Sequence, residues 1–544
     1  MGNDDVSRAR PEVVPGWAAA LGGLTAGAVA LGVASLVAAP VNPDTFPVAA
    51  VGNALVDVSP GALKDFAIRT FGENDKAVVS AGVLVLLAAA SAGIGVLARR
   101  RGLPYGVAGL ALFGVVGLVA VLTRPDASAM DTLPTILGVL AGSWTLAVML
   151  RRMTRPLPEE AEPADHADHA DHADHVERPE VMRAPGRRVA FDRRGLLGGA
   201  AGGFAVAGLS VLGGRLLGGG QSVEAARRAL VLPRASVPAP PLPAGTDLRV
   251  PGLTPFVTPA RDFYRVDTAF VVPQVDPSTW TLRVHGMVDR PVELSFAELL
   301  RRPLVEADVT LACVSNEVGG PYVGNARWLG VPMAEVLRAA GLRAGADMLL
   351  STSADGWTCG TPVEVVMDGR AALFAVGMNG EPLPTEHGFP VRQVIPGLYG
   401  YVSATKWVVD VKVTRFDVDT AYWTSRGWSA LGPVKTESRI DVPGDGASVR
   451  AGRTVIAGVA WAQHRGIAAV EVSVDRGEWR AARLAATPGP DTWRQWSIEA
   501  DLRPGGHSIA VRATDGTGRT QTAAVAPPVP DGATGHHTIT VTAS

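Results

Sequence analysis

The chain of 544 residues holds two cysteines, Cys313 and Cys359. The first lies in VTLACVSNEVGGPYVGNARWLGV, Val309 to Val331, between an apolar strand-like run and a glycine-rich loop. A thiol in that place has three readings: a small buried hydrophobe, a disulfide partner of Cys359, or a soft ligand for a metal. The small residues of VSNEVGG allow a broad planar ligand close to the backbone. Downstream, HGFPVRQVIPG and TKW supply cationic and polar groups able to hold a phosphate. A thiolate beside an anion-binding set suits a high-valent metal carried on a phosphorylated organic ligand.

Residues so far apart in sequence need a packed domain to bring them together. From Gly252 onward WTLRVHG, VTLAC, MLLSTSADG, ALFAVGMNG and KWVVDVKVTRF read as strands, whereas SFAELLRR and VPMAEVLRAAGL have helical spacing. That mixture predicts an α+β domain. After Gly432 come TVIAGVAWA, AAVEVSVDRGEWRAARL, RQWSIEADL and GGHSIAVRATDGTG, period-two strands between Gly/Asp turns, which predict an immunoglobulin-like β-sandwich. Ahead of both, VLPRASVPAPPLPAGTDL (Val231 to Leu248) reads as an extended spacer.

The first part of the chain carries an apolar excess, seen in a mean hydropathy of +0.19 with 19% charged residues. Apolar runs begin at Trp17, Ala77, Leu103 and Leu133. Each approaches the ~20 residues that a helix needs to cross a bilayer. Arg99, Arg100 and Arg101, and then Arg151, Arg152 and Arg155, place both ends of this four-helix bundle in the cytoplasm, with the Val41 to Lys76 loop outside. None of the four runs contains histidine or cysteine, so no pair of haem ligands is expected and the bundle reads as an anchor. The repeat ADHADHADHADH, Ala164 to His175, reads as a flexible linker, with divalent-metal binding as the alternative. Next, FDRRGLLGGAAGGFAVAGLSVLGG from Phe191 is either a fifth membrane helix or an internal twin-arginine export signal on Arg193 and Arg194. Both readings put everything after about residue 220 outside the cytoplasm. A formal net charge of -2 without a basic stripe argues against nucleic acid as a partner.

In order, FVTPARDFYRVDT, TLACVSN, GNARWLGV, SADG, MNGEPLPTEHGFPVRQVIPG, TKW, YWTSRGW, IAGVAWA and VEVSVDRGEW resemble the sulfite oxidase family of molybdopterin enzymes, from about Phe256 to Thr522. The resemblance implies a molybdenum–molybdopterin cofactor with Cys313 as the thiolate ligand of the metal and no disulfide to Cys359. It places Tyr264, Arg265, Asp267, Asp355, His387, Arg392, Ala404, Thr405 and Lys406 against the cofactor, with Arg265 also facing substrate. It puts Trp428 where the family has its catalytic tyrosine, and Asn316, Glu317 and Val318 where sulfite-oxidising members carry Asn and two arginines. The apolar runs and their basic flanks, which lie outside the resemblance, give the expected organisation of a four-helix transmembrane region over 1–155, a cytoplasmic His/Asp-rich linker over 156–194 and a fifth helix with the twin-arginine-like signal over 195–217. A spacer over 218–248, a molybdopterin-binding domain over 249–420, an immunoglobulin-like dimerisation domain over 430–526 and a tail over 527–544 follow. The expected activity is oxygen-atom transfer by a membrane-anchored, extracytoplasmic enzyme acting on a small oxo-anion, the family default. Reduction of an S- or N-oxide of the methionine sulfoxide type and an inactive binding or assembly protein are the alternatives. Electrons would pass to or from a separate cytochrome or quinone-linked partner, and the sandwich would support a homodimer.

Overall fold

In the computed structural model, which describes residues 14–41, 45–58, 75–123, 128–156, 189–217, 220–269 and 271–544, each long apolar run is a helix. These are α1 (Gly16–Val41), α3 (Asp75–Arg101), α4 (Leu103–Leu122), α5 (Leu133–Arg152) and α6 (Arg193–Leu217); between the first two lies a short α2 (Pro47–Val58) in the segment expected to be a loop. Among the described residues five helices are long and apolar enough to span a membrane, whereas α2, with 12 residues, is too short. Small residues set the packing inside this unit. A Cβ on Gly23 of α1 would fall 2.0 Å from the Ser91 carbonyl oxygen of α3, and one on Gly95 would fall 2.1 Å from that of Ala19. Gly32 meets Ala207 of α6 and Gly138 of α5 meets Ala30, so α1 packs closely against three others. A two-stranded antiparallel ribbon, β1 (Thr154–Pro156) with β2 (Val189–Phe191), joins the end of α5 to the start of α6. The His/Asp repeat lies outside the described residues.

Residues 220–544 belong to a second unit. Its α+β part contains two five-stranded sheets. One has the order β4 (Val292–Ser295), β3 (Thr281–Gly286), β12 (Val408–Thr414), β7 (Met348–Ser353) and β8 (Thr358–Pro362), parallel only between β3 and β12. The other has β10 (Glu381–Pro382), β9 (Leu373–Met378), β6 (Val323–Pro332) and β5 (Val305–Ala312), with β11 (Arg392–Val394) also on β9. Strand β9 reads as a continuous apolar run because side chains on both its faces are covered, as at Phe374 and Ala375, whereas β5 alternates apolar with polar residues and buries Val309 and Leu311 on one face. The C-terminal part is two sheets over one apolar core of Ile456, Trp496, Val511 and Ile539.

Two boundaries need correction. The spacer expected over 218–248 begins with a helix, α7 (Gly220–Ala229), whose Val223 is buried in a core cluster with Phe263 and Val309. Its extended remainder is tied down as well: Ser236 N–H donates to Leu304 O at 2.8 Å and Glu306 N–H to Val237 O at 2.9 Å. Proline-rich composition excludes a helix there but says nothing about docking. The tail expected over 527–544 contains a core strand, β21 (His537–Ala543), antiparallel to β20 (Gly505–Asp515), with Ile539, Val541 and Ala543 buried at period two.

The glycine contact between α1 and α3 is testable. Gly95→Leu forces these helices apart, and we expect the detergent-solubilised chain to lose about 1–3 kcal/mol, read as a lower Tm. Leucine at Gly93, where a Cβ meets nothing within 4 Å, should leave Tm unchanged.

Candidate functional site

Cys313 directly follows β5. Its N–H donates to Tyr322 O at 3.0 Å and its carbonyl accepts the Asn316 N–H at 3.1 Å, so a tight turn fixes the residue from both sides. The thiol is free and half-buried, with Sγ 2.9 Å from Ser315 Oγ. Burial raises its pKa, against the hydrogen bonds of Ser315 and the Val314 backbone. Cys359 is a separate free thiol, fully buried on β8 and pushed up to about 11 by that burial.

The cationic residues converge within the same unit. Arg265 Nε donates to Asp267 Oδ2 at 3.0 Å, and Lys406 Nζ donates to the same oxygen at 2.5 Å and to Glu386 O at 3.1 Å. Arg392 is buried on β11, where it donates to His387 O at 3.1 Å and its guanidinium lies 5.1 Å from the Trp328 ring centre. Burial lowers the Lys406 pKa to about 8, with Asp267 opposing the shift, and lowers Arg392 to about 10. His387 Nε2 sits 2.9 Å from Ala260 O, and burial, with Arg392 and Lys406 nearby, lowers its pKa to about 4. The imidazole is therefore neutral at pH 7 and donates through Nε2.

Backbone details hold this set together. Gly388, at φ +108°, is left-handed, and a Cβ there would come 3.0 Å from Arg392 Cβ and 3.1 Å from Lys406 Cβ. Trp407 also has positive φ, 49°, and is held by Nε1 donating to Thr385 O at 2.9 Å. Ala354 N–H donates to Trp407 O at 2.9 Å, which sets the turn carrying Asp355 beside the Ala404–Lys406 segment. Asp355 itself accepts from Trp357 N–H at 3.2 Å. Ala404 N–H donates to Gly400 O at 2.9 Å, and Thr405 Oγ1 is buried without a hydrogen-bond partner, near the Cys359 thiol. The Tyr264 ring stacks on Phe263 at 5.2 Å, and burial together with the charge of Cys313 raises its pKa while Arg392 lowers it. Trp428 stands apart, half-buried against Tyr401 (5.9 Å) and Trp423 (6.2 Å); no described hydrogen bond or ring contact links it to Cys313 or Arg265.

Two cations share the Asp267 carboxylate and a third, Arg392, is buried with backbone carbonyls alone as its hydrogen-bond partners among the described residues, so positive charge is in surplus, and a hydroxyl without a hydrogen-bond partner lies in the same segment. This donor set fits the phosphate of a bound cofactor, and the fixed thiol fits a metal that such a cofactor carries. The sequence reading missed Ser315 as a partner of the thiol. Its residue type is visible in the sequence, but its proximity depends on the turn.

Residues 269–423 match the oxidoreductase molybdopterin binding domain family. Sulfite oxidase of Rattus norvegicus is 31% identical over 294 residues, 45% of this chain and 53% of the rat protein. Sulfite oxidase of Gallus gallus is 30% identical over 321 residues, 50% of this chain and 69% of the chicken protein. Among solved structures, the sulfane dehydrogenase SoxCD of Paracoccus pantotrophus aligns with 49% of this chain and 75% of its own, at 25% identity and a TM-score of 0.44. The chain thus spans about half the length of the rat protein.

His387 yields a signed pH prediction. Its pKa falls from 6.5 to about 4 on folding, so between these values the unfolded chain binds the extra proton. Stability from this group is complete above about pH 6.5 and is lost as pH falls toward about 4, on the order of 3 kcal/mol. His387→Gln keeps a donor toward Ala260 O and should flatten the acid limb of Tm against pH; an unchanged limb would show that other groups govern it.

Proposed function

Because the chain belongs to the sulfite oxidase family of molybdopterin-dependent oxidoreductases, we propose that it performs two-electron oxygen-atom transfer outside the cytoplasm, anchored by its N-terminal helices. The observation that carries this reading is the free, turn-fixed Cys313 thiol in the same unit as the surplus positive charge of buried Arg392 and Lys406 and half-buried Arg265. Cys313 would hold the metal. Arg392, Lys406, Ala404 and Thr405 would hold the phosphate, and Tyr264, Asp267, Asp355 and His387 the rest of the organic ligand. When bound, the cofactor supplies the oxygen-atom and two-electron exchange. The chain supplies position, charge and exclusion of water. Arg265, whose side chain is 35% exposed, is the cation available to orient substrate, and Trp428 would form an apolar wall.

The family default, oxidation of a sulfur oxyanion to its higher oxide, is the leading direction. A second reading, reduction of a neutral S- or N-oxide, is favoured by the loop after Cys313, where Glu317 is exposed and Val318 half-buried. A dianion gains little from an acid and a valine, whereas a neutral oxide is not repelled. The C-terminal sheets are read as the immunoglobulin-like domain, which would pair two chains, and a cytochrome or quinone-linked protein would exchange electrons with the site.

The test uses the purified full chain. We expect molybdenum in the wild type and turnover either of sulfite with a dye acceptor or of a sulfoxide with a reduced dye. Cys313→Ser should keep the fold and abolish turnover, since a hydroxyl is a harder and far less acidic ligand than a thiol. Cys359→Ser should leave turnover intact. Molybdenum-free wild type, inert toward both substrates, would leave a binding or assembly protein.

Export rests on Arg193 and Arg194, both exposed in the first turn of α6. Changing both to lysine keeps the charge that orients a membrane helix but removes the guanidinium pair. We expect the catalytic unit of this variant to become inaccessible to external protease; wild-type accessibility would mean ordinary insertion of α6.

A further inference from the structure

The hydroxyl of Ser315 has one described hydrogen-bond partner, the sulfur of Cys313, at 2.9 Å. The pairing is built into the turn. Cys313 N–H is held by Tyr322 O, and the Cys313 carbonyl by the Asn316 N–H. The buried Asn316 then accepts the Tyr322 N–H through Oδ1 at 2.8 Å. Gly320 leaves room for that amide, since a Cβ there would fall 2.6 Å from Asn316 Oδ1. Cys313 and Ser315 are therefore held in register by contacts that involve neither side chain.

Between a neutral thiol and a hydroxyl either atom can donate. Beside a thiolate the choice disappears, because the sulfur then only accepts. We infer that Ser315 is a positioning residue that donates its hydroxyl hydrogen to the Cys313 thiolate and so tunes the reduction potential of the metal that this sulfur would bind. The inference rests on the function proposed above. Its physical content is that a hydrogen bond to a ligating sulfur draws electron density away from the metal–sulfur bond, and density so withdrawn favours the electron-rich, reduced metal. The hydroxyl thus holds the potential higher than the sulfur alone would.

The experiment is a redox titration of the molybdenum signal by electron paramagnetic resonance, on the purified full chain, with metal content measured on the same samples. Ser315→Ala should load molybdenum as the wild type does and titrate at a more negative potential, and Ser315→Thr, which keeps the hydroxyl, should return toward the wild-type value. If the alanine variant fails to load, Ser315→Gly, which removes the hydroxyl without placing a methyl beside the sulfur, is titrated in its place. A molybdenum-loaded variant without the hydroxyl that titrates at the wild-type potential overturns this inference and leaves the proposed function standing. So does a loss of thermal stability with no shift in potential, the mark of a purely structural serine. A wild type free of molybdenum overturns both.

Discussion

Asp267 bridges the two cations that meet at its Oδ2, Arg265 and Lys406, while Arg392 and the neutral His387 complete the set with no further carboxylate in hydrogen-bond contact among the described residues. Burying more positive than negative charge disfavours the folded chain, which is why burial depresses the pKa values of both Lys406 and Arg392. An anionic ligand removes that cost. The surrounding backbone serves this constraint: left-handed Gly388 lets Arg392 and Lys406 approach, and the unusual φ of Trp407 turns the chain directly after Lys406. A conformation costing about 1–3 kcal/mol persists only where its surroundings hold it, and Trp407 is buried and hydrogen-bonded.

The thiol depends on a different restraint, and part of it comes from the C-terminal sheets. Three residues before Cys313, Thr310 Oγ1 accepts the Trp493 N–H at 2.7 Å and Thr310 O accepts from Gln463 Nε2 at 2.9 Å. Trp493 Nε1 reaches Phe256 O at 2.9 Å, just ahead of the segment that carries Tyr264 and Arg265. Arg439 Nη1 donates to Gly320 O, within the loop after Cys313. The C-terminal sheets are thus bonded to β5, to the loop after Cys313 and to Phe256 ahead of the cationic segment, so they brace the site as well as enclosing a core of their own.

How much of this was legible in sequence follows from which interactions are local. The membrane-length helices were readable because about twenty apolar residues permit little else. Helix α2 was not, being short and set among polar residues, and β21 was missed because its alternation HTITVTA follows a proline- and glycine-rich stretch at the end of the chain. Docking of the Pro-rich segment depends on Leu304 and Glu306, some seventy residues away. At the site, the identities of Cys313, His387, Arg392 and Lys406 came from a resemblance spread over nine motifs. That Asp267 bridges Arg265 and Lys406, and that Trp428 packs tilted against Tyr401 and edge-on to Trp423, required the fold.

The central claim is that Cys313 is the protein's ligand to molybdenum. X-ray absorption at the molybdenum edge of the purified full chain reads this directly, by comparing the wild type with a cysteine-to-serine change at position 313. The account predicts one sulfur fewer around the metal in the variant, with the same change at position 359 leaving the sulfur shell untouched. An identical sulfur shell in a molybdenum-loaded variant at position 313 would contradict it.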